Sequence, residues 1–316
     1  MNKTTKEGLP AFDDFLLHIK TNNYSEETLY NYERDLKVFE HFLINDIHTV
    51  FSHITKKTLE LYKAYLTSRD RKTPAGTANS GQLSAGSLNR MLSSLRRYMA
   101  YLIEMDYDVP VPPGAIKLIK MPKKHPRVAE FDVMVSLIES PTDMEKIIEI
   151  ALRNRAIMET LFATGMRISE LVSLNRSQID NTGRIFIRGK GRKERFVYLT
   201  VRAKKSIDNY LLTRSDDLPA LFIPYRGTRA HSTRARISTN YIQMKIKQYR
   251  EQLGINVPTS AHSLRHGFAT YLAEQGANPA AIQVLLGHES LHTTTRYVHA
   301  SDKYAESTHK KFHPLK

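Results

Sequence analysis

Three short segments of this 316-residue chain stand out for the arginine, histidine and tyrosine side chains they carry. The first is Ala163-Thr164-Gly165-Met166-Arg167-Ile168-Ser169-Glu170-Leu171. Gly165 can stop one helix and Ser169 can start the next, which leaves Arg167 in a tight turn where a guanidinium is rigidly aimed. Such an arginine can equally cap helix C-terminal carbonyls. The second is His262-Ser263-Leu264-Arg265-His266-Gly267-Phe268-Ala269-Thr270. His262 and Arg265 stand three apart and share a helix face. A guanidinium grips two phosphate oxygens, and an imidazole exchanges a proton near neutral pH. The same spacing suits an ordinary surface pair, and His266 suits packing. The third runs from Leu286-Gly287-His288 through Thr293-Thr294-Thr295-Arg296-Tyr297 to His299. A phenol is a nucleophile once its proton is removed. Taken alone, Tyr297 is more often a core or surface aromatic, and spacing gives His292 and His299 no role.

The elements that must position these groups read as mainly α with a small antiparallel β-sheet. A helix is expected from about Glu145 to Thr164, with Gly165 as a left-handed cap. Arg184 to Arg188 and Arg195 to Thr200 read as strands, with Ile185 and Ile187 alternating on one and Val197 and Leu199 on the other. Between them Gly189-Lys190-Gly191-Arg192-Lys193-Glu194 is a basic hairpin turn. Further helices begin near Ser238, span His262 to Glu274, run from Asn278-Pro279 to before Gly287, and carry Tyr297.

The first hundred residues read as a helical bundle. Ser25 followed by Glu26 and Glu27 suits a helix start, because a hydroxyl caps free N–H groups and acids favour the positive end of the helix dipole. Leu29, Tyr32, Leu36, Phe39 and Leu43 then recur at helical spacing. A second helix starts near Thr55 or Thr58. A third starts near Ser87, with Leu88, Met91, Leu92, Leu95, Tyr98, Met99 and Leu102 on one face and Arg90, Arg96 and Arg97 on the other. Those arginines are either solvated or in contact with phosphate. Arg69 to Gly86 is a flexible loop of small residues to which no function is assigned. Val109 to Pro126 holds five prolines and reads as an extended linker. The expected division is 1–110, a linker at 111–126, and 127–316 ending in a polar tail.

The net charge of +15 creates a long-range field that attracts polyanions, with nucleic acid the leading candidate. The absence of cysteine excludes disulfides, zinc–thiolate sites and thiol nucleophiles, and fits a reducing compartment. No apolar run approaches the roughly 18 residues of a membrane span. Met1 to Pro10 lacks the apolar stretch of a secretory signal, so the expected location is cytoplasmic with no membrane partner.

Taken in order, the three segments together with Gly189-Lys190-Gly191 resemble the tyrosine recombinase (phage integrase) family, most closely its Xer branch. The likeness covers most of the chain. It implies a helical N-terminal core-binding (SAM-like) DNA-binding domain followed by a tyrosine-recombinase catalytic domain. It implies that Arg167 and Arg265 are the catalytic arginines and that Tyr297 is the nucleophile. His262 and His288 take the two histidine positions, and Lys190 takes the lysine position. Glu170 fills the acidic position, orienting Arg167 or supporting the fold. Arg90, Arg96, Arg97, Arg192 and Lys193 are expected to contact DNA.

Those groups suit the reaction that the resemblance implies. Attack on a phosphodiester adds charge to the nonbridging oxygens, which two permanently charged arginine forks can bind. His262 is the candidate base for the phenol, and Lys190 can protonate the departing 5′ oxygen. The 3′-phosphotyrosyl product keeps the bond energy, so a second 5′-hydroxyl can reverse the step. Neither metal nor cofactor is expected. The implied partners are double-stranded DNA with a specific recombination site, further subunits in a homotetramer or a heterotetramer with a sister recombinase, and an FtsK-like translocase. The polar tail from Ser301 to Lys316 is expected to dock on a neighbouring subunit. The function so implied is resolution of chromosome or plasmid multimers. Alternatives are a phage or transposon integrase, a type IB topoisomerase, and a DNA-binding accessory protein without catalysis.

Overall fold

Side-chain caps written into the sequence start seven of the twelve α-helices among the described residues. The computed structural model describes residues 8–68, 83–121, 129–188, 194–227, 230 and 232–287. The chain divides into two compact units, Met1–Lys124 and His125–Lys316. The architecture is mainly α with one two-stranded antiparallel sheet, as the sequence indicates.

In the first unit α1 spans Phe12–Thr21, α2 Glu26–His41, α3 Lys56–Thr67 and α4 Ala85–Glu104. Ser25 Oγ accepts the Thr28 N–H at 3.2 Å and starts α2. α2 then passes into a π-helical turn at Phe42–Asp46. α4 starts earlier than its apolar stripe suggests, because Ser84 Oγ accepts the Ser87 N–H at 3.1 Å. The seven apolar residues expected on one face of α4 are all buried, against a core that includes Phe15, Phe39 and Tyr62.

The segment read as an extended linker is in large part docked. Val111 and Ile116 are buried in the first unit's core. Asn89 on α4 donates its side-chain amide to the Ile119 carbonyl at 2.9 Å and accepts the Ile119 N–H at 2.8 Å. Prolines stop helix formation here, but a pair of apolar anchors and one amide clamp still fix the segment on α4.

The second unit begins with α5 (Phe131–Glu139), the single turn α6 (Pro141–Met144) and α7 (Ile148–Thr164). α7 is buried almost all round and packs against elements on several sides, as a central helix must. α8 (Ile168–Ser173) follows, then β1 (Arg184–Arg188), β2 (Glu194–Tyr198) and α9 (Val201–Leu211). Ile185 pairs with Val197 across the sheet, and Ile185, Ile187 and Val197 all face the core. α10 (Thr239–Gln252), α11 (Ala261–Glu274) and α12 (Pro279–Leu286) complete the described part. Asn278 caps α12 by accepting the Ala280 N–H at 2.8 Å, and Gly287 ends it with φ 63°.

Gly165 ends α7 with φ 60°, and a Cβ there would stand 2.4 Å from Phe268 Cδ1 and 3.1 Å from Leu286 Cδ2. Gly165→Ala therefore meets both left-handed strain and a clash with packed side chains on α11 and α12. It should destabilise the chain by more than about 2 kcal/mol in urea denaturation. An unchanged midpoint would contradict this packing.

Candidate active site

The turn after Gly165 places Arg167 as the residue that opens α8. Glu170 lies in the first turn of α8, and its Oε2 accepts the Arg167 N–H at 2.7 Å. Arg167, not Ser169, is thus the boundary residue, and the Glu170 carboxylate supplies the half of a capping box in which the side chain at N3 accepts the N-cap N–H. The Arg167 side chain remains 36% exposed, while Nη1 donates to Glu170 Oε1 at 3.0 Å.

Glu170 itself is buried. Its second cationic partner is Arg195 on β2, whose Nη1 and Nη2 donate to Oε1 and Oε2, each at 2.9 Å. Burial alone would raise the carboxyl pKa. The hydrogen bonds from Arg195 and the Arg167 backbone, with the charges of both guanidiniums, hold it below the ordinary carboxylate range. Sequence reasoning missed Arg195, although the strand period carried a signal. Arg195 shares the inward face with Val197, and an inward arginine requires an anion.

Arg265 extends from α11 into the same region and is buried. Its Nη1 donates to the Gly165 carbonyl at 2.6 Å and its Nη2 to the Leu286 carbonyl at 2.7 Å. Arg167 Nη2 reaches the next carbonyl, Gly287, at 3.4 Å. Arg195 Nε donates to the preceding one, Leu285, at 2.9 Å. Three arginines from three elements thus take three successive carbonyls at the negative end of α12. The fold brings Arg167, Arg265 and Glu170 together at this point, one residue before His288.

His262 lies in the first turn of α11, and its ring stands 5.5 Å from that of His266. Partial burial, then the charges of Arg265 and Arg167, lower its pKa. Its neutral form, the one able to accept a proton, therefore persists to lower pH than the ordinary histidine value of about 6.5 allows. The folded chain binds this proton less tightly than the unfolded chain does. His262 consequently lowers stability only as the pH falls below that ordinary value. Proton-detected NMR titration of the free protein should give a His262 midpoint below about 6.5. Addition of duplex DNA should move it upward, since phosphate offsets the arginine charges. A free-state midpoint at or above the ordinary value would contradict the proximity of the two guanidiniums.

Lys190, Arg192, Lys193, His288 and Tyr297 lie outside the described residues. Arg90, Arg96 and Arg97, expected to contact DNA, each also hold a partner within the first unit. Arg90 pairs with Asp35, a buried carboxylate on α2 that also accepts the Ser94 hydroxyl at 2.9 Å. Arg96 donates to the Ile116 carbonyl, and Arg97 Nη1 donates to Glu104 at 2.9 Å. A phosphate would have to compete with these contacts. Among the described residues no cluster of three or more His, Asp or Glu side chains could hold a metal ion.

Comparison with known proteins identifies the family. Residues 129–304 match the model of the phage integrase family, and residues 12–105 match that of its N-terminal SAM-like domain. The chain is 31% identical over 328 residues to a tyrosine recombinase XerC of Chlamydia caviae, covering 96% of this chain and 97% of that protein. It is 33% identical over 309 residues to a tyrosine recombinase XerC of Pelobacter propionicus, covering 95% of this chain and 94% of the relative. Among solved structures it is similar to the XerH site-specific recombinase bound to difH substrate in a pre-cleavage complex. That likeness has a TM-score of 0.68 at 22% identity over 93% of this chain and 82% of the other, and concerns the fold.

Proposed function

The chain belongs to the phage integrase family, and on that premise we propose that it is a Xer-like tyrosine site-specific recombinase acting on double-stranded DNA. The observation that carries this reading is the meeting of Arg167 and Arg265 on consecutive carbonyls at the end of α12. Two guanidiniums so placed suit a single phosphate whose nonbridging oxygens gain charge during attack. Tyr297 attacks the phosphorus and forms a 3′-phosphotyrosyl bond as the 5′ oxygen leaves. His262 takes the phenolic proton, Lys190 protonates the 5′ oxygen, and His288 adds a hydrogen bond to the phosphate. Attack by a 5′-hydroxyl from a second duplex then restores the phosphodiester and frees the tyrosine. The balance of bonds is unchanged across the two steps, so no external energy source is needed.

The net charge of +15 supports a polyanionic partner. The family match over both units supports a core-binding role for the first unit and catalysis for the second. On this reading strand exchange brings four copies together on two duplexes, as a homotetramer or with a sister recombinase, with an FtsK-like translocase as a candidate partner and the cytoplasm as the location. The biological role we propose is resolution of chromosome or plasmid multimers, and the likeness to proteins named tyrosine recombinase XerC supports it. Integration of a mobile element would use the same chemistry.

The test begins with recovery of the DNA bound in the protein's own cells. That site is rebuilt as a nicked duplex from which the cleaved end diffuses away. A detergent-resistant adduct to the 3′ phosphate, with recombination between two intact sites, is the expected result. Plasmid relaxation without exchange would instead indicate a topoisomerase. The absence of any adduct on the recovered site would leave a DNA-binding protein without catalysis.

A further inference from the structure

A guanidinium buried on a strand needs an anion, and in this fold the anion also belongs to Arg167. The Arg195 side chain is 8% exposed, against 36% for Arg167, and both bind the same carboxylate. Glu170 Oε1 accepts Arg167 Nη1 at 3.0 Å and Arg195 Nη1 at 2.9 Å. Oε2 accepts the Arg167 N–H at 2.7 Å and Arg195 Nη2 at 2.9 Å. Each carboxylate oxygen is therefore shared between a buried arginine and a half-exposed one.

We infer that Arg195 is a positioning residue: through Glu170 it fixes the Arg167 guanidinium, and through the Leu285 carbonyl it fixes the end of α12. This rests on the recombinase reading above. The donors assign the roles: Arg195 commits Nε, Nη1 and Nη2 to protein acceptors, each at 2.9 Å, whereas Arg167 commits Nη1 to Glu170 and reaches the Gly287 carbonyl with Nη2 only at 3.4 Å. A fork is needed because one side chain must meet two carboxylate oxygens and a carbonyl together. A lysine has the charge but not the planar set of donors.

Gly287 completes the device. A Cβ at that position would stand 2.9 Å from Arg195 Nη1, 3.0 Å from its Cδ and 3.1 Å from its Cζ. The glycine that ends α12 thus also makes room for the guanidinium that registers it. β2, α8 and α12 meet at one side chain, so loss of the fork releases Arg167 and the end of α12 together. Charge alone does not account for this arrangement. Glu170 offsets one of the two cations, and the distances describe a bidentate clamp.

The test compares wild type with Arg195→Lys, Glu170→Gln and the double variant. The readouts are the single-turnover cleavage rate at saturating protein on the nicked duplex, DNA affinity by mobility shift, and the melting temperature. Arg195→Lys should cleave up to about 100-fold more slowly, the cost of misplacing a reacting group by roughly 1 Å, with DNA affinity nearly unchanged. The double variant should be no slower than the worse single variant, since both changes break one clamp. A wild-type rate for Arg195→Lys, or losses that multiply in the double variant, would overturn the inference. If Arg195→Lys fails to bind DNA, Glu170→Gln stands in for it. That variant must then show reduced cleavage at normal affinity, and a wild-type rate from it is equally fatal. The unaltered chain separates the two claims. If it forms no adduct, the recombinase reading fails. If it forms one and Arg195→Lys matches its rate, only the clamp fails.

Discussion

Tyr297→Phe should abolish the covalent protein–DNA adduct while leaving DNA affinity nearly unchanged. The substitution removes one oxygen and keeps the ring, so any packing of the aromatic survives. On the proposed chemistry that oxygen is the group that bonds to phosphorus, and no lesser version of the step exists without it. The phenol has an ordinary pKa of about 10, so in the wild type its proton must leave as attack proceeds. Adduct formation should accordingly depend on the protonation state of His262 in the wild type and be absent at every pH in the variant. Affinity depends instead on phosphate contacts spread over a chain of net charge +15, and it should retain its steep fall with salt. The measurement is denaturing electrophoresis of the nicked duplex after incubation, beside a mobility shift at fixed ionic strength. Thr293, Thr294 and Thr295 offer hydroxyls in the same segment. An adduct surviving in Tyr297→Phe would pass the nucleophile's role to another group and remove Tyr297 from it.

What the sequence made legible was mostly local. Ser25, Ser238 and Asn278 cap the helices they precede, because each bond closes within three residues. Gly165 and Gly287 stop helices with positive φ, and the position of Arg167 in a turn follows from the first of them. The pairing of β1 with β2 follows from two alternating runs around a short basic turn. The misses involve partners far apart in sequence. Arg90 reads as solvated or in contact with phosphate, and its pairing with the buried Asp35 on α2 is not legible from spacing. The proline-rich segment after α4 reads as an extended linker, and its clamping by Asn89, thirty residues before Ile119, is not legible from composition. Arg195 finds Glu170 across 25 residues and Leu285 across 90. The inward face of Arg195 was readable from the strand period, but its partner was not. The family resemblance named the acidic position without the second arginine that holds it.

Arg167→Lys should reduce cleavage by about 100- to 1,000-fold, the usual cost of losing one fixed donor to developing charge. The structure favors this change as a test of chemistry over folding. The cap on α8 uses the Arg167 backbone N–H, which donates to Glu170 Oε2 at 2.7 Å and is kept by any substitution except proline. The side chain is 36% exposed, so a lysine can be accommodated with its charge in contact with water. Melting temperature and long-range attraction to DNA should therefore stay close to wild type. What is lost is the planar fork, with Nη1 held by Glu170 at 3.0 Å and Nη2 reaching the Gly287 carbonyl only at 3.4 Å. Arg265 would be a poorer choice for the same purpose. Both of its terminal nitrogens hold carbonyls, at Gly165 and Leu286, so a substitution there also loosens the ends of α7 and α12. Single-turnover cleavage beside DNA affinity and melting temperature decides the matter. A near-normal rate for Arg167→Lys would mean that the site requires only a positive charge at this position, and the argument from bidentate geometry would fail for Arg195 as well.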